Sequence, residues 1–363
     1  MSHRHTSTYQ HRQQQLWDFD ELSELDALLI TEPVHHRYLC GFSGSSAYLL
    51  VTREGAHLYT DGRYEGQAAL EVRESSVHIV QDALTEAVRE RLSEGSRVGF
   101  EAERLTVAAS QRLREANHLV TWRPVGPVLE LMRRRKDEGE QESIARAIEI
   151  AEGALAEIAA RIAPGQTERE ISGMLEERLR TGGSERLAFE PIVASGDRGA
   201  LPHGRATDRV LQKGEMVTLD FGAVYEGYHA DITRTWALGK GPPEADSWHE
   251  AVDAAINAAL EAAAPGRPCR EVDGAARSVI ESHGFGAFFV HNLGHGLGLE
   301  VHEEPRLGRR STDILEEGMV VTIEPGIYVP GVGGLRIEEN VVIERAGAHL
   351  LTSAPRGLRA HQN

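Results

Sequence analysis

Residues 217–236, VTLDFGAVYEGYHADITRTW, restrict what this chain can become more than any other stretch. Val217 and Leu219 alternate with Thr218 and Asp220, the period-two pattern of a half-buried strand, and Ile232 and Thr235 belong to a second run of the same character. Tyr225-Glu226-Gly227 reads as the turn between them. A two-residue loop at Tyr225-Glu226 sets Asp220 directly opposite Asp231, with Cβ atoms about 5 Å apart, and a longer loop needs a compensating bulge. Like charges so placed destabilise a sheet unless a cation lies between them.

Four further clusters fall in the same half of the chain: LPHGRA with His203, HNLGHGLGLEVHEEP with His291, His295 and His302, GMVVTIEPGIY with Glu324, and GLRIEENVVI with Arg336 and Glu338. His291 and His295 have i, i+4 spacing, but Gly294, Gly296 and Gly298 argue for a tight loop or strand with close backbone approaches. Thr322 and Glu324 share one strand face, and Arg336, Glu338 and Asn340 share another. A lone histidine is ordinarily a hydrogen-bonded core residue, and a lone glutamate on a strand ordinarily faces water. Two aspartates, two glutamates and a histidine collected beside glycines and strand ends do not fit that description. Four carboxylates carry a charge of −4, which one divalent cation leaves at −2 and two neutralise. Oxygen donors with one imidazole suit manganese or cobalt and accept iron or zinc. Two such ions about 3.5–4 Å apart generate a nucleophile at neutral pH and polarise a carbonyl, which is the chemistry of hydrolysis.

The rest of the chain supplies room for this site. Its 363 residues suffice for two domains. Residues 16–127 alternate short strands and helices: SAYLLVT and AHLYTDG joined by a turn at 53–55, a helix over 83–95, and a strand at RVGFE, an α/β unit. Residues 128–136 read as a linker. The part from 137 to 363 opens with two amphipathic helices, the first with Ile144, Ala147, Ile148, Ala151 and Leu155 on its apolar stripe. It then turns strand-rich, with helices near 248–264 and 271–283, which predicts an α+β domain with a curved antiparallel sheet and covering helices. The polar segment 1–15 is expected to be disordered. A net charge of −17 argues against nucleic acid as a partner. The basic run Arg133-Arg134-Arg135-Lys136 is read as a solvated helix face or linker. Two separated cysteines agree with a reducing, cytoplasmic compartment. No apolar stretch reaches the roughly 18 residues of a membrane span.

The order LDFGAVYEGYHADITRT, HNLGHGLGLEVHEEP, TIEPGIY, GLRIEEN resembles the pita-bread-fold metallopeptidases, in the branch of Xaa-Pro aminopeptidases and prolidases. The likeness extends to HHRYLCGFSGSSAYLLVT and LYTDGRYEGQA, which are similar to the smaller domain preceding the catalytic one in that branch. It implies that Asp220, Asp231, His295, Glu324 and Glu338 hold two divalent metal ions, Mn2+ first, with Co2+, Fe2+ or Zn2+ as alternatives. By the same resemblance Glu324 also moves protons, His302 hydrogen-bonds the scissile carbonyl oxygen, His203 and His291 contact substrate, and Arg336 with Tyr328 supports the carboxylates. No implied ligand is substituted, which separates the chain from metal-free relatives of the creatine amidinohydrolase kind. The implied substrates are peptides with proline in second position, and the implied assembly is a homodimer formed through the N-terminal domain. The short segment between His302 and Glu324 favours an Xaa-Pro aminopeptidase. The alternative is an Xaa-Pro dipeptidase, whose extra positive group Arg306, Arg309 or Arg310 could supply. A non-catalytic binding protein on the same scaffold stands well behind.

Overall fold

In the computed structural model, which describes residues 3–81 and 91–359, the chain divides into two units, Met1–Met132 and Arg133–Asn363. The first contains helices α1 (His3–Gln15), α2 (Pro33–Cys40), α3 (Glu65–Glu71) and α4 (Val107–Ala116), while α5 (Val128–Arg133) runs across the division. Its strands β1 (Ala27–Ile30), β2 (Ala47–Thr52), β3 (Ala56–Thr60), β4 (Ser75–Ile79), β5 (Arg97–Glu101) and β6 (Thr121–Val125) make one mixed sheet in the order β4-β3-β2-β1-β5-β6. Most of the helix expected over 83–95 lies outside the described residues.

The N-terminal segment departs from expectation, because α1 is helical where composition pointed to disorder. Helix α2 ends with carbonyls that have no partner within the helix. Arg12 donates to Tyr38 O (3.0 Å) and Gln13 to Leu39 O (2.9 Å), while the Arg12 guanidinium lies 4.2 Å from the Tyr38 ring centroid. Those polar side chains have tertiary partners, which composition does not reveal.

The second unit begins with α6 (Glu138–Ala159) and α7 (Glu168–Thr181), each opened by a capping box, Asp137 with Glu140 and Thr167 with Glu170. The predicted stripe from Ile144 to Leu155 is buried. Strands β7 (Ile192–Ser195), β8 (Met216–Phe221), β9 (Val224–Tyr225), β10 (Tyr228–His229) and β11 (Ile232–Ala237) form the hairpin region, in which β8 pairs with both β7 and β11. After α8 (Ala245–Ala262) and α9 (Cys269–Ser282) come β12 (Gly294–Gly296), β13 (Glu303–Leu307), β14 (Val320–Ile323), β15 (Gly326–Val329), β16 (Gly333–Arg336), β17 (Glu339–Glu344) and β18 (Gly347–Leu350). The order β13-β12-β14-β17-β18 makes a five-stranded sheet, and every strand pairing in this unit is antiparallel. Trp248, Val252, Ile256, Val272 and Ile280 of the two helices join Val321, Ile323, Leu335 and Val341 in one buried cluster. The unit is therefore α+β, with a helical layer closing the apolar side of antiparallel sheets, as the pattern predicts.

The basic run corrects a further expectation. Arg133 and Lys136 are 2% and 4% exposed, and Arg134 pairs with Asp313 at 2.9 Å; Arg135 alone keeps a largely exposed side chain.

Two glycines of this unit give opposite predictions. A Cβ on Gly222 would lie 1.9 Å from Ala230 O, whereas one on Gly153, inside α6, meets open space. Gly222→Ala should destabilise by about 2 kcal/mol, lowering the unfolding midpoint by roughly 4–8 °C. Gly153→Ala should stabilise by ~0.5–1 kcal/mol. Circular dichroism melts of both variants check the pair.

Candidate metal centre

The hairpin loop lies one residue further along the chain than expected, which shifts the register by two: Asp220 faces Thr233 instead of Asp231. The loop is Glu226-Gly227, with φ of 47° and 81°, both in the left-handed region that a two-residue hairpin of this hand demands. Tyr225 therefore pairs with Tyr228, and further down the ladder Asp220 pairs with Thr233. Continuing that register places Asp231 across from Gly222. The two aspartates are diagonal neighbours on one face, not direct opposites, because Gly227 takes the second loop position.

Other strands bring the remaining groups to the same place. His295 sits at the middle of β12, where a Cβ on Gly294 would lie 1.9 Å from Thr322 O and one on Gly296 2.4 Å from Glu304 O. The flanking glycines thus let β12 pass between β13 and β14, and the His295 N–H donates to Thr322 Oγ1 (3.1 Å). Glu324 immediately follows β14, and its N–H donates to Leu293 O (2.8 Å). Glu338 occupies the corner between β16 and β17, where its N–H donates to Thr233 O (3.1 Å). The strands expected to run through both glutamates stop just before each, which leaves the carboxylates at strand ends.

Asp231, His295 and Glu338 each offer a ligand atom within 4.8 Å of the others. Nδ1 of His295 donates to Gly296 O (3.0 Å), so Nε2 presents a lone pair. That lone pair faces Asp231 Oδ2 at 3.7 Å and Glu324 Oε1 at 3.5 Å, distances beyond an ordinary hydrogen bond. Asp220 Oδ1 and Glu338 Oε1 are buried with no hydrogen-bond partner. Acceptors facing acceptors, with orphaned carboxylate oxygens among them, fit a divalent cation.

A polar network stands behind the cluster. Arg336 donates through Nη2 to Asp220 Oδ2 (2.5 Å), through Nη1 to Tyr328 OH (2.7 Å) and Pro202 O (3.1 Å), and through Nε to Thr233 Oγ1 (3.0 Å). Thr233 Oγ1 in turn donates to Glu338 Oε2 (2.8 Å). Tyr328 OH donates to His291 Nε2 (2.9 Å), and His291 Nδ1 donates to Asn292 O (2.7 Å). His302 is exposed, its ring edge-on to His295 with centroids 4.4 Å apart. His203 is also exposed and acts electrostatically on His291 and His302. Thr233, Asn340, Asp273 and Arg277 were not singled out from the sequence as site residues. Asn340 holds Asp231 O (2.5 Å), and Arg277, paired with Asp273, donates to Phe289 O and His291 O. From the sequence Asn340 reads only as sharing a strand face with Glu338; two-residue spacing from Asp231 is the signal that could have found Thr233, and nothing short of the fold points to Arg277.

Burial and mutual repulsion set the charge state. Burial, then Glu338, Asp220 and Glu324, push the Asp231 carboxyl well above the ordinary range. Burial and Glu338 do the same to Glu324, and burial with Asp220 takes Glu338 up to about 8. Burial holds His291 and His295 down to about 4 and lowers His302, with Arg306 acting on the last two.

Residues 142–345 match the family model for metallopeptidase family M24, and residues 12–135 match the creatinase/prolidase N-terminal domain. The chain is 42% identical over 244 residues to an Xaa-Pro dipeptidase of Pyrococcus furiosus, covering 67% of this chain and 70% of that one. Among solved structures it is similar to an Xaa-Pro dipeptidase from Bacillus anthracis, with a TM-score of 0.91, 35% identity, and 97% and 99% of the two chains covered. It is also similar to an X-Pro aminopeptidase from Thermotoga maritima, with a TM-score of 0.87, 39% identity, and 92% and 97% covered.

The carboxyl shifts set a pH dependence for the metal-free protein. Glu338 keeps its proton in the fold to about pH 8, whereas the unfolded chain loses it near ~4.3. The folded state therefore binds more protons across that interval, and stability is lost as pH rises through the folded value. His291 and His295 act in the opposite sense, but only below ~6.5, where the unfolded imidazoles charge. Between about pH 7 and about pH 8.5 the unfolding midpoint of the metal-free protein should fall. Added manganese should raise the midpoint, more so at the higher pH, and release protons in calorimetric titrations. A midpoint that climbs with pH in that window, or metal binding without proton release, contradicts a shared carboxylate site.

Proposed function

The chain belongs to metallopeptidase family M24, and from that premise we propose that it is an Xaa-Pro dipeptidase, a hydrolase of dipeptides ending in proline. The short segment between His302 and Glu324 had favoured an aminopeptidase; relatives named Xaa-Pro dipeptidase support the alternative better. The observation that carries the dipeptidase reading is the place of Arg306. It is the register partner of His295 across β12 and β13, and its charge acts on both His295 and His302. Its side chain is 66% exposed, with one carboxylate, Glu304 Oε1, 3.5 Å away. A guanidinium beside the cluster is the group that the free carboxylate of a dipeptide requires. Arg309 instead lies 3.8 Å from Glu281 of α9.

In this reading Asp220, Asp231, His295, Glu324 and Glu338 hold two divalent cations, manganese first, with cobalt, iron or zinc as alternatives. When bound, the cations supply Lewis acidity, which acidifies water and polarises the scissile carbonyl. Glu324 is the carboxylate suited to proton transfer, since its side chain is 19% exposed while Glu338 is 1% exposed. The leaving prolyl nitrogen has no hydrogen in the peptide and departs as a neutral amine only after gaining one, which Glu324 takes from the attacking water and delivers. His302, neutral at neutral pH, donates a hydrogen bond to the carbonyl oxygen as negative charge develops there. His203 and His291 line the substrate side, and Arg336 with Tyr328 orients Asp220. A non-catalytic binding protein needs none of this donor set. The N-terminal unit is proposed to pair two subunits. A cytoplasmic setting accords with two free, buried cysteines, and no helix among the described residues is long and apolar enough to cross a membrane.

The manganese-loaded protein should hydrolyse Xaa-Pro faster than Xaa-Pro-Xaa, and Arg306→Gln should raise KM for the dipeptide by about 10- to 100-fold, the worth of one charge-assisted hydrogen bond, while sparing tripeptides. Faster turnover of the tripeptide by the parent would restore the aminopeptidase reading. Asp231→Asn should abolish turnover and lower bound metal, as measured by elemental analysis; full activity in that variant would displace the site.

A further inference from the structure

Two residues of the basic run that the sequence assigned to a solvated helix face or linker, Arg133 and Lys136, form a buried brace. Lys136 Nζ donates to Glu303 Oε2 (2.9 Å), and Arg133 Nη2 donates to Glu303 Oε1 and to Glu300 Oε2 (2.9 Å). Side-chain exposures are 1% for Lys136, 2% for Arg133 and 6% for Glu303. Glu303 is the residue after His302, and its carboxylate folds back into the turn that leads up to it. The Glu300 N–H donates to Glu303 Oε1 (3.1 Å), and a Cβ on Gly298 would lie 2.6 Å from Glu303 Oε2. On the other side of the turn, the N–H and Nδ1 of His229 both reach Gly298 O, at 2.8 and 3.1 Å.

Residues 297–302 belong to neither flanking strand, since β12 ends at Gly296 and β13 begins at Glu303. The ladder also slips between His295 and Gly296. Backbone hydrogen bonds from Leu297 to Val320 O (3.0 Å), Gly298 to Glu300 O (3.1 Å) and His229 to Gly298 O hold the start of the turn. Its later part is held by the carboxylate inside it and by the two cations that grip that carboxylate. We propose that Lys136 and Arg133, acting through Glu303, are positioning residues for His302: they hold the turn whose last residue presents its imidazole beside His295. The catalytic consequence rests on the role given to His302 above, whereas the brace on the turn does not.

The test uses full-length protein carrying Lys136→Met or Lys136→Arg, each alone and combined with His302→Asn. In the manganese-loaded enzyme Lys136→Met should lower kcat for an Xaa-Pro dipeptide by about 10- to 100-fold, the scale of an ångström-sized misplacement, with KM changed by less than about threefold. Lys136→Arg should restore kcat to within about threefold, since a guanidinium can still reach Glu303. In the His302→Asn background the methionine variant should cost less than about twofold more, because the group it positions is gone. Hydrogen exchange on metal-free protein reads the turn without any activity: peptides covering 297–303 should exchange about tenfold faster in Lys136→Met, with α6 unchanged. Equal losses of kcat in the two backgrounds, unchanged exchange at 297–303, or faster exchange throughout the second unit would each overturn the proposal. A parent that hydrolyses no Xaa-Pro peptide would defeat the functional reading, and the exchange experiment would still decide the brace.

Discussion

Four buried or half-buried carboxylates point into one small volume, and everything around them answers to their repulsion. Arg336 is the guanidinium in direct contact, taking Asp220 at 2.5 Å and standing next to Glu338 through Thr233. Burial would pull a proton off Arg336, yet Tyr328, Asp220 and Glu324 hold it charged. Four carboxylates and one guanidinium carry a formal charge of −3, so the fold alone leaves the cluster unbalanced. Without cations the balance is reached by retaining protons, which is why Asp231, Glu324 and Glu338 are all pushed upward. Two divalent cations would turn −3 into +1, a net charge that accommodates one negative group arriving with water or substrate.

The rest of the second unit makes that convergence possible. Asp220 and Asp231 belong to the hairpin of β8 and β11, whereas His295 lies within β12 and Glu324 and Glu338 lie at strand ends around the five-stranded sheet. The two are stitched by Glu338 N–H on Thr233 O, Arg234 on Glu338 O and Asn340 on Asp231 O. One backbone and two side-chain-to-backbone hydrogen bonds thus tie the two strand systems and keep the like charges together. The buried layer of Trp248, Val252 and Val272 keeps the opposite side dry.

How much of this was legible depended on whether a pattern was local. Period two marked Thr322 and Arg336 as strand residues leading to Glu324 and Glu338, because alternation needs only neighbours. It did not show that β14 and β16 stop before those glutamates and that Asn340 belongs to another strand. The glycines around His295 announced close approach, and Thr322 O and Glu304 O are the groups approached. The turn was misplaced by one residue, since Tyr225-Glu226 and Glu226-Gly227 differ only in which positions take positive φ, and glycine decides between them. Residues whose meaning lies in distant partners were misread. Arg12 and Gln13 looked like a disordered tail because the carbonyls they satisfy are 26 residues away. Arg133 and Lys136 looked like surface because Glu303 lies more than 160 positions down the chain.

The histidines show why contact lists alone do not assign roles. His291 spends both ring nitrogens, accepting from Tyr328 and donating to Asn292 O, so it has no polar atom left for a peptide. Its ring lies beside those of Phe289 and Tyr328, with centroids 5.2 and 5.4 Å away. The surface it can present to a substrate is carbon, which suits a pyrrolidine ring better than a carbonyl. His302 differs in each respect. It is exposed, its ring stands edge-on to that of His295, and partial desolvation together with Arg306 lowers its pKa below the ordinary imidazole value, which favours the neutral form. In the proposed mechanism a neutral imidazole hydrogen-bonds a developing oxyanion without adding a positive charge to a cluster that already fits a divalent cation. The two histidines, eleven residues apart in one segment, thus divide along apolar and polar lines that the sequence treats as alike.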